Sequence, residues 1–334
     1  DFCLSRGLGD VYKRQPWPPP DDQTQPRGQE MANVTGVAAE PSPVSSPSAP
    51  PPAQANGVAP VAVTSREPEV AVSTAADRLR RLIAAMAPDG RRLEDLFILQ
   101  VLGPVTAEGW AAPTDRGVIL ALACWLAFHR DRPRSASDIV DALYPVDDKP
   151  LSGKADTVRT NATRLRQAIG ADRFPSGSGN RGYQLITGVT TDLELFGDLV
   201  AWADAHPDRA VEYLEAALEL VRGRPFEGAL SDPAYQWALA EGWEARAIEK
   251  VSQAAHRLAI LHAEHGDNPR ALAAIRKGLE ISPDSVLLRG DRLRLATDPT
   301  DRRVAWREAV GALGPSEAEE SLGSLFRRYD DTDS

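Results

Sequence analysis

Cysteine is nearly missing from this chain: Cys3 and Cys124 are the two copies in 334 residues. No disulfide framework can be built from them, and a reducing, cytoplasmic setting fits. Cys124 lies in an apolar run and reads as a small packed hydrophobe. Long hydrophobic runs are missing as well. No stretch approaches the ~20 apolar residues that span a bilayer, and Asp1–Gln15 lacks the apolar segment of a signal peptide. No membrane contact is therefore expected of this fragment. Catalytic patterns are equally scarce. Gly153-Lys154 is the one hint of a phosphate loop, but Asp148 stands where its first glycine belongs and no Ser or Thr follows the lysine. His256, His262 and His265 lie close together without the His-Glu-x-x-His order, so they read as surface residues of a helical segment. No serine, cysteine or carboxylate pair has a triad or acid/base setting. The reading is of no enzyme, with no catalytic residue, no metal site and no cofactor.

What the chain does have is uneven charge and uneven proline. Its net charge of −10 argues against a general nucleic-acid coat. Between Pro150 and Thr190, however, six basic residues (Lys154, Arg159, Arg164, Arg166, Arg173, Arg181) meet two acidic ones (Asp156, Asp172). That segment is +4 against −14 for the remainder, the footprint of one DNA-contacting face on an acidic protein. Pro16–Val72 holds 13 of the 27 prolines and almost no large apolar residue. Such composition cannot offset its ordering entropy, so residues 1–73 are expected to form a disordered tail or linker. Asp1–Gln15 resembles the translation of a sequencing adapter and carries no fold information. Two origins stay open for the rest: a start at Met31, or the C-terminal piece of a longer protein.

Beyond the tail, residues 74–92 hold a short amphipathic helix (Leu79, Leu82, Ile83, Met86) ended by Pro88-Asp-Gly90. Phe97–Leu102 and Val105–Ala112, separated by Gly103-Pro104, read as short strands. Asp115–Phe128 is a strongly apolar helix with Val118, Leu122, Trp125 and Leu126 on one side. Ser135 is placed to cap the next helix, with Asp138 three residues on and Ile139, Val140 and Leu143 as its buried positions. Pro145 stops that helix, and Val146–Gly153 reads as a polar loop.

The next segment is the most informative. Across Ala155–Ile169 the apolar residues Val158, Ala162, Leu165 and Ile169 recur at helical spacing and form one buried stripe. Arg159, Thr160, Thr163, Arg164 and Gln167 point away from it. Asp156 is expected in the first turn, and Gly170 ends the helix. Phe174–Ile186 then reads as a hairpin with Asn180 and Arg181 at a Gly/Ser-rich tip. The order of strands, helix, helix, loop, helix and hairpin matches a winged helix, whose third helix enters the major groove. Lys154, Arg159, Thr160, Thr163, Arg164, Gln167, Asn180 and Arg181 are the expected DNA contacts. Arg130, Arg132 and Arg134, before the second helix, are expected near the DNA backbone.

From Asp192 on, the chain reads as helical. Ala210, Leu214, Ala217, Leu218, Glu219 and Leu220 recur 61 positions later as Ala271, Ile275, Gly278, Leu279, Glu280 and Ile281. A turn precedes each copy, as stacked helical hairpins require. The expected class is mainly α: a winged helix-turn-helix (α+β) domain over 93–190, an all-α tetratricopeptide-like domain over 191–314, and a tail over 315–334.

These segments resemble a known family. Leu99-Gln-Val-Leu-Gly-Pro104 resembles the opening strand of the antibiotic-regulatory-protein class of actinobacterial activators. Ser137-Asp-Ile-Val-Asp-Ala-Leu-Tyr144 resembles its second helix, with Tyr144 where tryptophan is usual. Thr163-Arg-Leu-Arg-Gln-Ala-Ile-Gly170 resembles the end of its recognition helix, and Gly182-Tyr-Gln-Leu185 the return strand of its wing. Thr191-Asp-Leu-Glu-Leu-Phe196 and Ala217-Leu-Glu-Leu-Val-Arg-Gly223 resemble the start of the bacterial transcriptional activator domain. The likeness covers about Leu93–Leu313. It implies an OmpR-like winged helix with a tetratricopeptide-like domain, double-stranded DNA carrying promoter repeats as target, and RNA polymerase as partner. A homodimer on DNA is implied as well. The third helical pair, after Pro283, looks shortened and charged beside the family pattern. The long Pro-rich segment suits a regulator tethered to something upstream, including multidomain relatives whose N-terminal part crosses a membrane. The alternative, from the acidic overall charge, is a helical-repeat scaffold whose winged helix binds protein rather than DNA.

Overall fold

The computed structural model describes residues 96–108, 117–144, 151–176 and 182–330. The Pro-rich segment, the helix expected over 74–92 and the wing tip with Asn180 and Arg181 lie outside the described residues. Three short strands open the fold: β1 (Phe97–Gln100), β2 (Thr106–Glu108) and, far along the chain, β3 (Val189–Thr191). Their order is β2-β1-β3. β1 runs antiparallel to β2, with Leu99 opposite Ala107, and parallel to β3, with Leu99 opposite Thr191.

Helix α1 (Gly117–Phe128) is apolar all round, and every residue from Ala121 to Ala127 is buried. It was expected to bury one side. A helix hydrophobic on all sides needs partners on all sides, and α1 has them in the helix over Leu151–Ile169, β3 and the turn at Pro233–Tyr235. Helix α2 (Ala136–Leu143) starts as its sequence asks. Ser135 Oγ accepts from the Asp138 amide and the Asp138 carboxylate accepts from the Ser135 amide, at 3.1 and 2.9 Å. Those bonds hold the Asp138 carboxyl below its ordinary value. Helix α3 runs Leu151–Ile169, four residues earlier than its apolar stripe suggests. Asp156 therefore lies in the second turn, not the first.

The boundary expected at 190/191 carries no linker. Thr191 ends β3 and also caps helix α4 (Asp192–Ala205) through a capping box with Glu194. Asp192 is buried, and its carboxylate accepts from the amides of Val101 and Leu102 at 2.7 and 3.0 Å. Burial, only partly offset by these amides and by Arg222 at 3.7 Å, pushes its carboxyl up to about 6. Just past β1, the carbonyls of Leu102, Val101 and Gly103 accept from the amides of Arg222, Phe226 and Glu227. Phe226 has a φ of 58°, a region a bulky residue occupies only when its surroundings hold it there. Its ring is fully buried and lies 5.9 Å from that of Phe128 and 6.1 Å from Trp237.

The helical part continues with α5 (Ala210–Glu219), α6 (Gln236–Ala240), α7 (Trp243–Glu264), α8 (Asn268–Ile281), α9 (Val286–Arg294), α10 (Pro299–Leu313) and α11 (Pro315–Asp330). The 61-residue repeat places α5 against α4 and α8 against α7 as two hairpins. Gly278 stands where Ala217 stands in the first copy because a Cβ there would lie 2.5 Å from Leu288 and 2.8 Å from Ala255. One hydrophobic core runs from the sheet through Leu288, and a smaller one joins α9–α11 through Leu293, Ala305, Ala309 and Leu322. The tail expected over 315–334 is thus corrected: Pro315–Asp330 is a helix, and Phe326 stacks on Trp306 at 4.8 Å.

Candidate nucleic-acid interface

Two faces of α3 divide its residues by chemistry. Val158, Ala162, Leu165, Ala168 and Ile169 are buried against α1 and α2. Asp156, Arg159, Thr160, Thr163 and Gln167 follow one another at helical spacing on the exposed side. Arg164 is half-buried at the edge of this stripe. Arg159 pairs with Asp156 at 2.7 Å, both side chains 73% exposed. So exposed a pair is worth little, and Arg159 can leave it for a stronger anion. Thr160 and Thr163 donate their hydroxyls to the carbonyls of Asp156 and Arg159, four residues back, at 3.0 and 2.9 Å. With the proton so engaged, each oxygen turns lone pairs outward and presents its methyl beside them. The stripe therefore offers guanidinium donors next to hydroxyl acceptors, a set able to read base edges of both kinds.

Three other basic residues of the segment turn inward. Lys154 donates from Nζ to the Tyr144 carbonyl at 3.3 Å, which ties the start of α3 to the end of α2. Arg166 donates to the carbonyls of Phe174 and Pro175, both at 2.9 Å, and lies over the Phe174 ring. Arg173 donates to the carbonyl of Ile169. Carbonyls are neutral, so these bonds fix the guanidinium groups without cancelling their charge. The +4 field of the segment survives although three of its side chains serve the fold.

Beside α3 the base of the wing is built from main chain. Tyr183 and Arg134 exchange both amide–carbonyl bonds, at 2.7 and 2.9 Å, and Ile186 donates to the Arg173 carbonyl at 3.0 Å. Phe174 is buried and stacks on Tyr183. Gly182 takes a φ of 71°, and a Cβ there would lie 2.7 Å from the Arg134 carbonyl oxygen, so the strand can enter this base only through glycine.

Of the three arginines expected at the DNA backbone, the structure turns two inward. Arg130 bonds the carbonyls of Ala127 and Val189 and the Glu194 carboxylate, joining α1, β3 and α4. Arg134 bonds the His129 carbonyl and Asp131 and lies 5.8 Å from the Trp125 ring centre. Arg132 stays outward, its side chain 60% exposed. Asn161 sits among the stripe residues and carries no expected role in the sequence. It is 5% exposed and donates to the Tyr144 hydroxyl at 2.9 Å. A polar residue at a stripe position was the available signal: it needs a partner. Tyr144 supplies one, and its own hydroxyl titrates higher than usual through burial.

The three clustered histidines do not form a shared site. His262 is buried against Glu215 at 3.4 Å, His256 meets Asp291 at 2.5 Å, and His265 faces the Leu261 carbonyl. The expectation that they lie on the surface is corrected for His262. Among the described residues no helix is long and apolar enough to cross a membrane.

No family model matches the chain. The chain is similar to the regulatory protein AfsR of Streptomyces griseus, 34% identical over 119 residues, which is 33% of this chain and 11% of that protein. It spans only a small part of that relative's length. The fold is similar to that of Mycobacterium tuberculosis EmbR, solved in complex with a low affinity phosphopeptide. That likeness has a TM-score of 0.52 and 21% identity, and covers 70% of this chain and 65% of the other. The architecture is a winged helix followed by a helical domain, as in that neighbour. The sequence match supports the likeness to antibiotic-regulatory-protein regulators drawn from the sequence motifs, and the structural match supports the fold.

Proposed function

We propose that this chain is a sequence-specific DNA-binding transcriptional regulator that works in the cytoplasm as an activator. The outer stripe of α3 enters the major groove, and Arg159, Thr160, Thr163, Arg164 and Gln167 meet base edges and phosphates there. Asn180 and Arg181 at the wing tip touch phosphate or the minor groove and add affinity rather than sequence choice. Lys154, in the first turn of α3, bonds the Tyr144 carbonyl through one of its three donors, and a second donor would meet a phosphate. The observation that carries this reading is the division of α3 itself. One face is locked by core packing, and the other presents donors and acceptors on a rigid helix beside a main-chain wing base. Similarity to a regulatory protein points the same way.

The helical hairpins would hold RNA polymerase or a second copy of the chain, since stacked hairpins form surfaces suited to protein partners. The test is selection of binding sites from random duplex DNA by the full chain, followed by fluorescence anisotropy at several salt concentrations. A recovered repeat bound at least ~10³-fold above random DNA is the expected result. Binding that is equal on all sequences, or absent, overturns it. Transcription in vitro from a promoter carrying the recovered repeat then tests the activator role: no rise in transcript on adding the protein refutes it.

A further inference from the structure

The two helical hairpins differ where their sequences should be most alike. In the first, Trp202 stacks on His206 with ring centres 5.2 Å apart, and Tyr213 meets both edge-on at 6.1 and 6.0 Å. Tyr213 is 1% exposed, so these rings fill the hairpin. Sixty-one positions on, the same places hold Ala263, Asp267 and Ala274, and Glu212 is replaced by Ala273. The bulk that closes the first hairpin is missing from the second. Ala273 and Ala274 instead line a cavity of about 500 Å³ between α5, α7 and α8.

The walls of this cavity carry opposite charges. Glu215 and Glu219 face it from α5. Arg270 and Lys277, two turns apart on one face of α8, line the other side. Leu258 and His262, one turn apart on α7, form the floor, and His262 is 5% exposed. Three polar contacts along the walls are long. His262 Nε2 lies 3.4 Å from Glu215, Arg270 lies 3.5 Å from Asp267, and Lys277 lies 3.8 Å from Glu280. The Arg270 and Lys277 pairs, so long and partly solvated, contribute little, so a bound ligand can replace them at small cost. The cavity is open to solvent on one side, and its size is within the range of small-molecule sites.

We propose that this cavity binds a small amphoteric molecule, with its ammonium group on Glu215 and Glu219 and its carboxylate on Arg270 and Lys277. The apolar middle of the ligand lies over Leu258, Ala273 and Ala274. A short apolar peptide with free ends, or an ω-amino acid of similar reach, has this chemistry. The site is independent of the DNA reading, because none of its residues lies on α3 or the wing. Asp267 and Glu280 stay on α8 to hold the two cations when the site is empty.

Calorimetric titration of the full chain with trileucine and with 6-aminohexanoate tests the proposal. One-site binding of at least one of them is expected. N-acetylation or C-terminal amidation of trileucine should weaken its binding about tenfold or more, since each removes one charge-assisted contact. Lys277→Glu, at the partly exposed rim, should weaken binding by a similar factor. Ala274→Tyr, which copies the first hairpin, should abolish it. Because that tyrosine could also disturb the hairpin, Lys277→Glu carries the result by itself, with circular dichroism to confirm its helix content. Failure of both compounds to bind overturns the site. So does equal affinity for blocked and free trileucine where the free peptide binds, or unchanged affinity of the bound compound in Lys277→Glu.

Discussion

Arginines occur both on the outer face of α3 and around the loop that precedes α2, yet the two groups do different work. On α3, Arg159 is 73% exposed and pairs with Asp156, an equally exposed aspartate. Around the loop, Arg130 and Arg134 are half-buried or better and bind carbonyls of α1, β3 and the loop itself. The difference follows from what surrounds each residue. A helix whose far side is packed leaves its outer arginines nothing to hold, whereas a loop wedged between α1, β3 and the wing is full of carbonyls that need donors. Guanidinium groups of the second kind are fixed by the fold and charge it. Those of the first kind remain to be matched by a partner.

The largest effect should come from breaking the packing that joins the two parts of the molecule. Phe226→Ala removes a fully buried ring from the cluster of Phe128, Trp237 and Trp243 and should destabilise the fold by about 3–5 kcal/mol. Calorimetry should show a single transition for the wild type, shifted as one in the variant. Two separate transitions, with only one affected, would mean that the winged helix and the helical part fold independently. For the same reason a fragment ending at Thr190 should unfold: it lacks Asp192, Phe226 and the amides that bind Val101–Gly103.

Next in size is Asp192→Ala, which leaves the amides of Val101 and Leu102 buried without an acceptor, at about 1–3 kcal/mol for each. The pH dependence has a definite sign. The folded value, about 6, lies above the ordinary unfolded value near ~3.9, so this group's contribution is full below about pH 4 and lost as pH rises through about 6. Carbon-13 titration of the Asp192 carboxyl should show a midpoint near 6. A midpoint below 4 would mean that the amide donors outweigh burial.

Smaller effects belong to the outer face. Arg159→Ala and Arg164→Ala should each weaken specific DNA binding by about 1–3 kcal/mol. Arg159→Ala should leave the melting temperature nearly unchanged, because nothing in the core depends on it. Arg130→Ala should do the reverse, lowering stability more than it alters sequence preference. If Arg159→Ala melts early and binds normally, the contrast between the two groups of arginines collapses. The smallest change is expected of Arg181→Ala, which should weaken all sequences alike and flatten the salt dependence by about one unit of slope.

Much of the fold could be read before any coordinates. The Ser135 cap with Asp138, the apolar stripe of α3 and the 61-residue repeat are local or periodic, so neighbouring residues carry the information. Within the candidate interface, the exposure of Arg159, Thr160, Thr163 and Gln167 follows from that same stripe. The start of α3 was misjudged because Ser152, Gly153 and Lys154 interrupt the apolar pattern, although Leu151, seven residues before Val158, already stands at the stripe's spacing. The helix over Pro315–Asp330 was misread as a tail because its charged residues hide Leu322 and Phe326, which meet α9 and α10 only in three dimensions.

The sequence by itself determined which face of α3 is outward, because a helix turns its side chains by a constant angle and burial selects one side. It also determined the repeat and the local excess of positive charge. Only the tertiary structure decided which of those charges serve the fold. Lys154, Arg130, Arg134 and Arg166 are chemically fit for phosphate, but each lies within reach of a carbonyl contributed by a residue that folding brings near. Tertiary structure likewise decided that the two parts share one core. Asp192 meets Val101 across 91 positions of chain, and no local pattern can announce a bond whose partners are so far apart.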